Sequence, residues 1–370
     1  MRNQVKNIKN NYSLKRHNTF GLDVKSRYFI QLNYEDEFYE ILADKYLSKQ
    51  NIIILGDGAN VLFTRDFDGL VIGVKIKGMK IVEENQSFIV VEVGAGKNWH
   101  ELVTWAVNHN YGGIENLALI PGTVGAAPVQ NIAAYGQNFE DVFVSLDAIN
   151  LKTGLKKTFE KSECDFDYRE SFFKNGKGKR QWLITKVRLR LSKKPVINAS
   201  YFETGRTVDS KNKISIISEL NNLGKVKPFT IRDIYDAVLS IRLRKLPDIK
   251  KLGNAGSVFK NPLVTKRQYE DLLRMDSSLQ CYPANSLSYF EDSDSLDQNE
   301  YVKIPAGRLL DNLGWRGKRI GKVGVYEKHA LIVVNYGDAT PDEILNLISL
   351  MKADVYENYG INLELELVTI

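Results

Sequence analysis

Two hydrophobic periods recur along the chain, and their coexistence restricts it to a mixed architecture. RQWLITKVRLRLS (residues 180–192) alternates apolar and polar side chains, the period of a half-buried strand. Ile231, Ile234, Tyr235, Val238 and Ile241 recur at helical spacing instead, behind Thr230 and Asp233, which suit a helix start. Asn98 and Glu101 resemble a capping box that opens another helix, turning Trp99, Leu102, Val103 and Ala106 inward. MKIVEENQSFIVVEVGAG (79–96) and FVSLDAINLKTGLKKTF (143–159) read as hairpins, the second turning at Lys152-Thr153-Gly154. Thr340, Pro341 and Glu343 start a further helix with Ile344, Leu347, Ile348 and Met351 inside, and NLELELVTI closes as a strand. The mixture predicts an α+β class.

Between 193 and 228 the pattern weakens, which predicts a linker or mobile loop and a domain boundary near 195–230. A chain of 370 residues suits two or three domains, and 43% apolar residues can fill sizeable cores. The N-terminus is basic and polar, without the apolar run of a signal peptide. No stretch approaches the ~20 apolar residues that span a bilayer. Cys164 and Cys281 are far apart, and His17, His100, His109 and His329 are scattered, so neither a disulfide framework nor a metal site is expected. These features predict a reduced, cytoplasmic, soluble protein. The net charge of +6 is small for the length and mostly dispersed. Its densest run, SIRLRKLPDIKK (240–251), reads as a solvated helix face or as attraction for a small polyanion such as a nucleotide diphosphate. Nucleic-acid binding has no RNP-like or helix-turn-helix pattern to support it.

Glycine clusters are the first candidates for chemistry. LGDGANVLF holds Gly56 and Gly58, and IPGTVGAAPVQNIAAYGQN holds Gly122, Gly125 and Gly136. Neither is a Walker A or a Rossmann fingerprint. Such density marks tight turns, and it also lets backbone approach a pyrophosphate. In YRESFFK (168–174), Tyr168-Arg169 offers a planar guanidinium fork to a carboxylate. GNAGSVFKNP (253–262) puts Ser257 just after a Gly/Ala-rich turn, and LELE places Glu364 and Glu366 on one face of the final segment.

In their order, NTFGL (18–22), LGDGANVLF, NLALIPGTVGAAPVQNIAAYGQN (116–138), YRESFFK, KLPD (245–248), GNAGSVFKNP and the final LELE resemble the UDP-N-acetylenolpyruvoylglucosamine reductases over nearly the whole chain. The resemblance implies an FAD-binding domain of the vanillyl-alcohol-oxidase (PCMH) type, about 23–193, plus a C-terminal α+β substrate domain. It divides the chain into a small N-terminal domain (1–70) completed by the C-terminal strand, an FAD-binding domain (71–228) and a substrate domain (229–370). The implied activity is NADPH-dependent reduction of an enolpyruvyl UDP-sugar through FAD in peptidoglycan synthesis. Ser257 is then the acid, Arg169 binds developing carboxylate charge, and Glu366 is the catalytic glutamate, with Glu364 as the alternative. Tyr168, Lys245, Asn261 and Asn312 match substrate-contacting positions, and Tyr201 is the candidate for the tyrosine that closes over substrate. Gly56, Gly58, Asn60, Gly122, Gly125, Asn131 and Gly136 are the expected flavin contacts. Ala126 and Ala127 stand where some members carry serines, so backbone must serve there. No histidine lies in a stretch expected to tether flavin, so FAD is expected to be non-covalent. A monomer is expected, with neither nucleic acid nor membrane as partner. The competing class is a flavin oxidase of an alcohol or aldehyde on the same fold.

Overall fold

The computed structural model describes residues 5, 7–174, 176–203, 214–284 and 300–370. It begins with a four-stranded sheet in the order Lys9–Ser13, Lys25–Leu32, Phe67–Val74, Ile52–Leu55. The first pair is antiparallel and the other two are parallel. In Phe67–Val74 the last six residues are all buried, as befits a central strand covered on both faces.

A second, wholly antiparallel sheet runs Lys156–Glu160, Phe143–Asn150, Trp182–Ser192, Phe88–Gly94, Met79–Glu84. Both expected hairpins are present in it. Asn150 holds the second turn by accepting from the Lys152 and Thr153 N–H groups at 3.0 Å each. Trp182–Ser192 keeps its predicted alternation from Thr185 onward, with Val187, Leu189 and Leu191 fully buried, whereas Leu183, Ile184 and Thr185 are buried in succession. Arg188 on its open face donates to both Asp147 oxygens at 2.9 and 2.7 Å and to Glu92 at 2.9 Å.

Helix α1 (Trp99–Asn108) packs on this sheet through the four expected residues. Asn98 accepts from the Glu101 N–H at 3.1 Å, but the Glu101 carboxylate turns to Lys97 at 2.5 Å instead of closing the box. Helix α2 (Ile231–Lys245) has the complete reciprocal cap at Thr230 and Asp233. Its apolar stripe joins the core of the N-terminal half, as does the preceding helix Ile216–Asn222. The separation between cores therefore falls after α2, beyond the 195–230 boundary that weak patterning suggests. The apolar stripe of α2 outweighs the polar composition before it. Within that weakly patterned stretch, residues 204–213 lie outside those described.

The C-terminal half has its own four-stranded antiparallel sheet, ordered Gly253–Ser257, Ile332–Asn335, Val323–Val325, Arg319–Ile320. Helix α3 (Pro341–Tyr359) buries Ile344, Leu347, Ile348 and Met351 behind a full Thr340–Glu343 cap. This second core also takes in Leu14, Phe20, Leu55, Leu62 and Phe63, so the two halves interlock. The final segment does not form the single strand that its alternation suggests. Leu365 makes one bridge with Phe259, and Val368–Thr369 then pairs in parallel with Val61–Leu62. The alternation survives, with Leu363 and Leu367 buried, but the change of partner near Leu367 interrupts the ladder. Among the described residues, no helix is long and apolar enough to cross a membrane, and no His/Cys/Asp/Glu group could hold a metal ion.

Candidate active site

A cavity of ≈380 Å³ opens where the two halves meet, and two different kinds of wall enclose it. One is made of the loop after strand Ile52–Leu55 and the run 120–134. Gly56, Gly58, Asn60, Gly122 and Gly125 all line it. Chain approach is so close that a Cβ on Gly56 would lie 2.6 Å from Thr123 Oγ1, and one on Gly125 would lie 2.5 Å from the Ala95 Cβ. Gly58 combines φ +66° with a Cβ position 2.2 Å from the His17 carbonyl, so only glycine serves there.

Asn131 and Gly136 belong to the same run but do not line the cavity. Asn131 is buried and donates to Glu140 at 3.1 Å and to the Asp167 carbonyl at 3.0 Å, buttressing the next wall. The Gly136 carbonyl accepts from Asn198 at 2.8 Å.

The other wall consists of charged side chains from well-separated segments. Asp167 and Glu170 exchange backbone hydrogen bonds at 3.2 and 3.1 Å around the turn that carries Tyr168 and Arg169. Arg169 has φ +59°, a left-handed conformation that usually calls for glycine. Its Nε lies 2.8 Å from Glu366 Oε1, and its Nη2 donates to the Ala133 carbonyl at 2.9 Å. The cavity thus distinguishes the two final glutamates. Glu366 lines it with a side chain 17% exposed, whereas the Glu364 side chain is 54% exposed and lies 3.6 Å from Lys260. The Glu366 carbonyl accepts from Asn60 at 3.2 Å, which ties the two walls together.

Ser257 lines the same cavity at the end of strand Gly253–Ser257. A register shift between Asn254 and Ser257 bulges this strand at its rim, and Asn254 Oδ1 holds the bulge by accepting from the Gly256 N–H at 3.1 Å.

The remaining expected substrate residues are less concentrated. Burial raises the Tyr168 phenol pKa, its hydroxyl interacts with Asn261 backbone, and Lys303 Nζ sits 4.0 Å from its ring centroid. Asn261 Oδ1 accepts from the Ala306 N–H at 3.1 Å. Tyr201 packs edge-on against Tyr135, with centroids 5.1 Å apart. Lys245 ends α2 without lining the cavity. Asn312 is elsewhere, donating at 2.9 Å to Asp276 beside a second cavity of ≈340 Å³. The chain segment preceding AGRLLD, residues 285–299, lies outside those described.

Among the cavity residues that escaped the sequence reading are two buried or half-buried cations. Arg242 lies within the basic run and was open to a solvated-face reading, yet it lines the cavity. Its Nη2 donates to the Leu119 carbonyl at 3.3 Å, and its buried Nε has no acceptor among the described residues. Burial, then the neighbouring Arg169 charge, lower its pKa against the opposing pull of Tyr135. Arg242 falls four residues after Val238 and seven after Tyr235, on the apolar stripe, and that spacing was the available signal. Lys174, in YRESFFK, also lines the cavity with a side chain only 5% exposed.

Comparison with known proteins agrees with this geometry. Residues 248–370 match the family described as UDP-N-acetylenolpyruvoylglucosamine reductase, C-terminal domain, and residues 26–158 match an FAD binding domain. The UDP-N-acetylenolpyruvoylglucosamine reductase of Flavobacterium johnsoniae is 42% identical, covering 97% of this chain and 98% of that protein. The one from Burkholderia multivorans is 38% identical, over 96% and 95% of the two chains. The crystal structure of the corresponding reductase from Thermus caldophilus shares the fold, with a TM-score of 0.62 at 21% identity and 97% coverage of each chain.

Proposed function

The chain belongs to the UDP-N-acetylenolpyruvoylglucosamine reductase family, and on that premise we propose that Ser257, Arg169 and Glu366 carry the proton and charge steps of its reaction. The protein is a flavin-dependent oxidoreductase. It reduces UDP-N-acetyl-3-O-(1-carboxyvinyl)-glucosamine to UDP-N-acetylmuramate with NADPH as hydride donor, in peptidoglycan synthesis. An alcohol or aldehyde oxidase on the same fold is less well supported, because the match to the reductases spans both halves of the chain.

The residues present suit FAD. Gly56, Gly58 and Gly125 leave no room for side chains, so backbone itself forms a narrow cradle with Asn60 and Gly122. Arg242 adds a cation to the lining of the same space, suited to the polar edge of a bound flavin, while its buried Nε has no acceptor among the described residues. Among the described residues, neither histidine nor cysteine lines the cavity, and the reading takes FAD as non-covalent. Asn131 and Gly136 support the cradle from behind in this reading. Bound FAD supplies the hydride relay between NADPH and the enolpyruvyl methylene carbon.

The protein's own contribution is proton delivery and charge control. Hydride addition builds negative charge on the carbon beside the carboxylate. Ser257 donates its hydroxyl proton to that carbon, forming the new C–H bond and leaving a serine alkoxide to be stabilised and reprotonated. Arg169 binds the substrate carboxylate as charge spreads into it, and Glu366 orients the guanidinium through their 2.8 Å pair. Tyr168, Lys245, Asn261 and Asn312 serve the remainder of the UDP-sugar, and Tyr201 closes over it. A nucleotide-sugar substrate and NADPH point to the cytoplasm.

The observation carrying this reading is the convergence of Ser257, Arg169 and Glu366 on the glycine-walled cavity. Ser257→Ala tests it under anaerobic stopped flow. Flavin reduction by NADPH stays near the wild-type rate, while reoxidation by substrate falls at least ~10²–10⁴-fold. Ser257→Cys regains part of the loss, since a thiol still donates. Normal reoxidation in the Ala variant would return Ser257 to a turn residue.

A further inference from the structure

Lys174 has no part in the chemistry above, yet it joins the segments that perform it. Its ammonium donates to Gln130 Oε1 at 3.1 Å, to the Arg169 carbonyl at 2.8 Å and to the Glu366 carbonyl at 3.3 Å. A lysine ammonium has three N–H donors, and these acceptors match their number. Glu170 Oε1 stands 3.9 Å away, itself bonded to Lys260 at 2.6 Å.

We propose that Lys174 is a positioning residue for the reaction, fastening the backbones of Arg169 and Glu366 so that guanidinium and carboxylate meet in one geometry. The inference rests on the roles given to Arg169 and Glu366 above. An ion pair between flexible side chains fixes their tips but leaves their main chains free to move. Arg169 most needs such a tether, because it occupies a left-handed conformation that most residues avoid. Asn60 also holds the Glu366 carbonyl, but Lys174 contacts both backbones at once. Ser171 completes the local frame by donating to the Val129 carbonyl at 2.9 Å.

The same environment makes the tether sensitive to pH. Burial pushes the Lys174 ammonium down to about 8; Lys260 and Arg169 act in the same direction, and Glu170 and Glu366 oppose them. The charged form predominates below that value and supplies all three donors. Above it the neutral amine has two N–H groups for three acceptors, so the arrangement around Arg169 and Glu366 loosens.

The test compares Lys174→Met and Lys174→Arg with wild type, following each half-reaction between pH 6 and about 9.5 together with flavin content and thermal midpoint. Lys174→Met slows substrate reoxidation by roughly tenfold or more, with flavin content and NADPH reduction close to wild type. Wild-type reoxidation declines above pH about 8. Lys174→Arg retains much of the neutral-pH rate and moves that decline upward, because guanidinium keeps its charge. Should Lys174→Met fail to fold, the pH profile of Lys174→Arg decides alone. A wild-type reoxidation rate in Lys174→Met overturns the proposal. So does a loss that merely follows flavin content, or an alkaline decline unchanged in Lys174→Arg. Arg169→Gln separates this failure from failure of the underlying reading: normal reoxidation there removes Arg169 from the chemistry whatever Lys174 does.

Discussion

The two walls of the cavity make opposite use of their residues. On the glycine wall, close chain approach leaves no space for side chains, and function depends on what is missing. On the facing wall, Arg169, Lys174, Arg242 and Glu366 bring charge into a half-buried site, and function depends on how those charges are held. Steric exclusion fails all at once, because interiors are close-packed and backbone cannot yield cheaply. Charge placement fails by degrees, since each hydrogen bond contributes separately and titration can weaken it. The two walls should therefore respond differently to substitution.

The largest effect is expected on the first wall. Gly58→Val forces a β-branched residue to φ +66° and drives its Cβ into the His17 carbonyl. The backbone alone costs about 1–2 kcal/mol, and the collision adds to it. We expect colourless or insoluble protein, measured by flavin content and recovery; a yellow, wild-type-stable variant would abolish the distinction between walls. On the second wall, Arg242→Met removes one charge-assisted donor worth about 1.5–3 kcal/mol. Flavin dissociation should rise roughly ten- to hundredfold in fluorescence titrations of otherwise folded protein. Unchanged flavin affinity would remove Arg242 from the cofactor's surroundings.

Further from the cavity, Lys245→Ala should raise KM for the UDP substrate by roughly tenfold and change kcat less. An unaffected KM would make Lys245 an ordinary helix-end cation. The smallest effect is reserved for Asn98→Ala, which removes the α1 cap and costs about 1 kcal/mol of stability. Thermal melts should detect it while both half-reaction rates stay unchanged. A large loss of flavin instead would mean that the cap supports the glycine wall through neighbouring Gly122 and Thr123.

Sequence revealed these walls unequally. Period and caps located both hairpins and all three named helices, because those signals are local. Glycine spacing identified the first wall, yet it could not distinguish Gly125, which lines the cavity, from Gly136, whose carbonyl is spent on Asn198. That distinction depends on which side of a turn faces inward. For the second wall, family resemblance supplied Ser257, Arg169 and Glu366, but not the pairing of Arg169 with Glu366. Lys174 and Arg242 were hidden for the same reason: a charged residue in a motif or basic run looks solvated until tertiary packing covers it. The polar stretch before α2 likewise hid the apolar packing of Ile216–Asn222, since one short helix carries little periodic signal.

The late pairing of Val368–Thr369 with Val61–Leu62 also sets an order of events during synthesis. The glycine wall emerges from the ribosome early, whereas Glu366 and the strand that follows it emerge after every other part of the site. Until then Val61–Leu62 lacks its parallel neighbour, and one side of the cavity stands open. Domains form from the N-terminus as the chain grows, so the nascent protein holds an unfinished apolar cleft during elongation. The cradle closes only when the segment carrying Glu366 has joined Asn60 and Val61–Leu62.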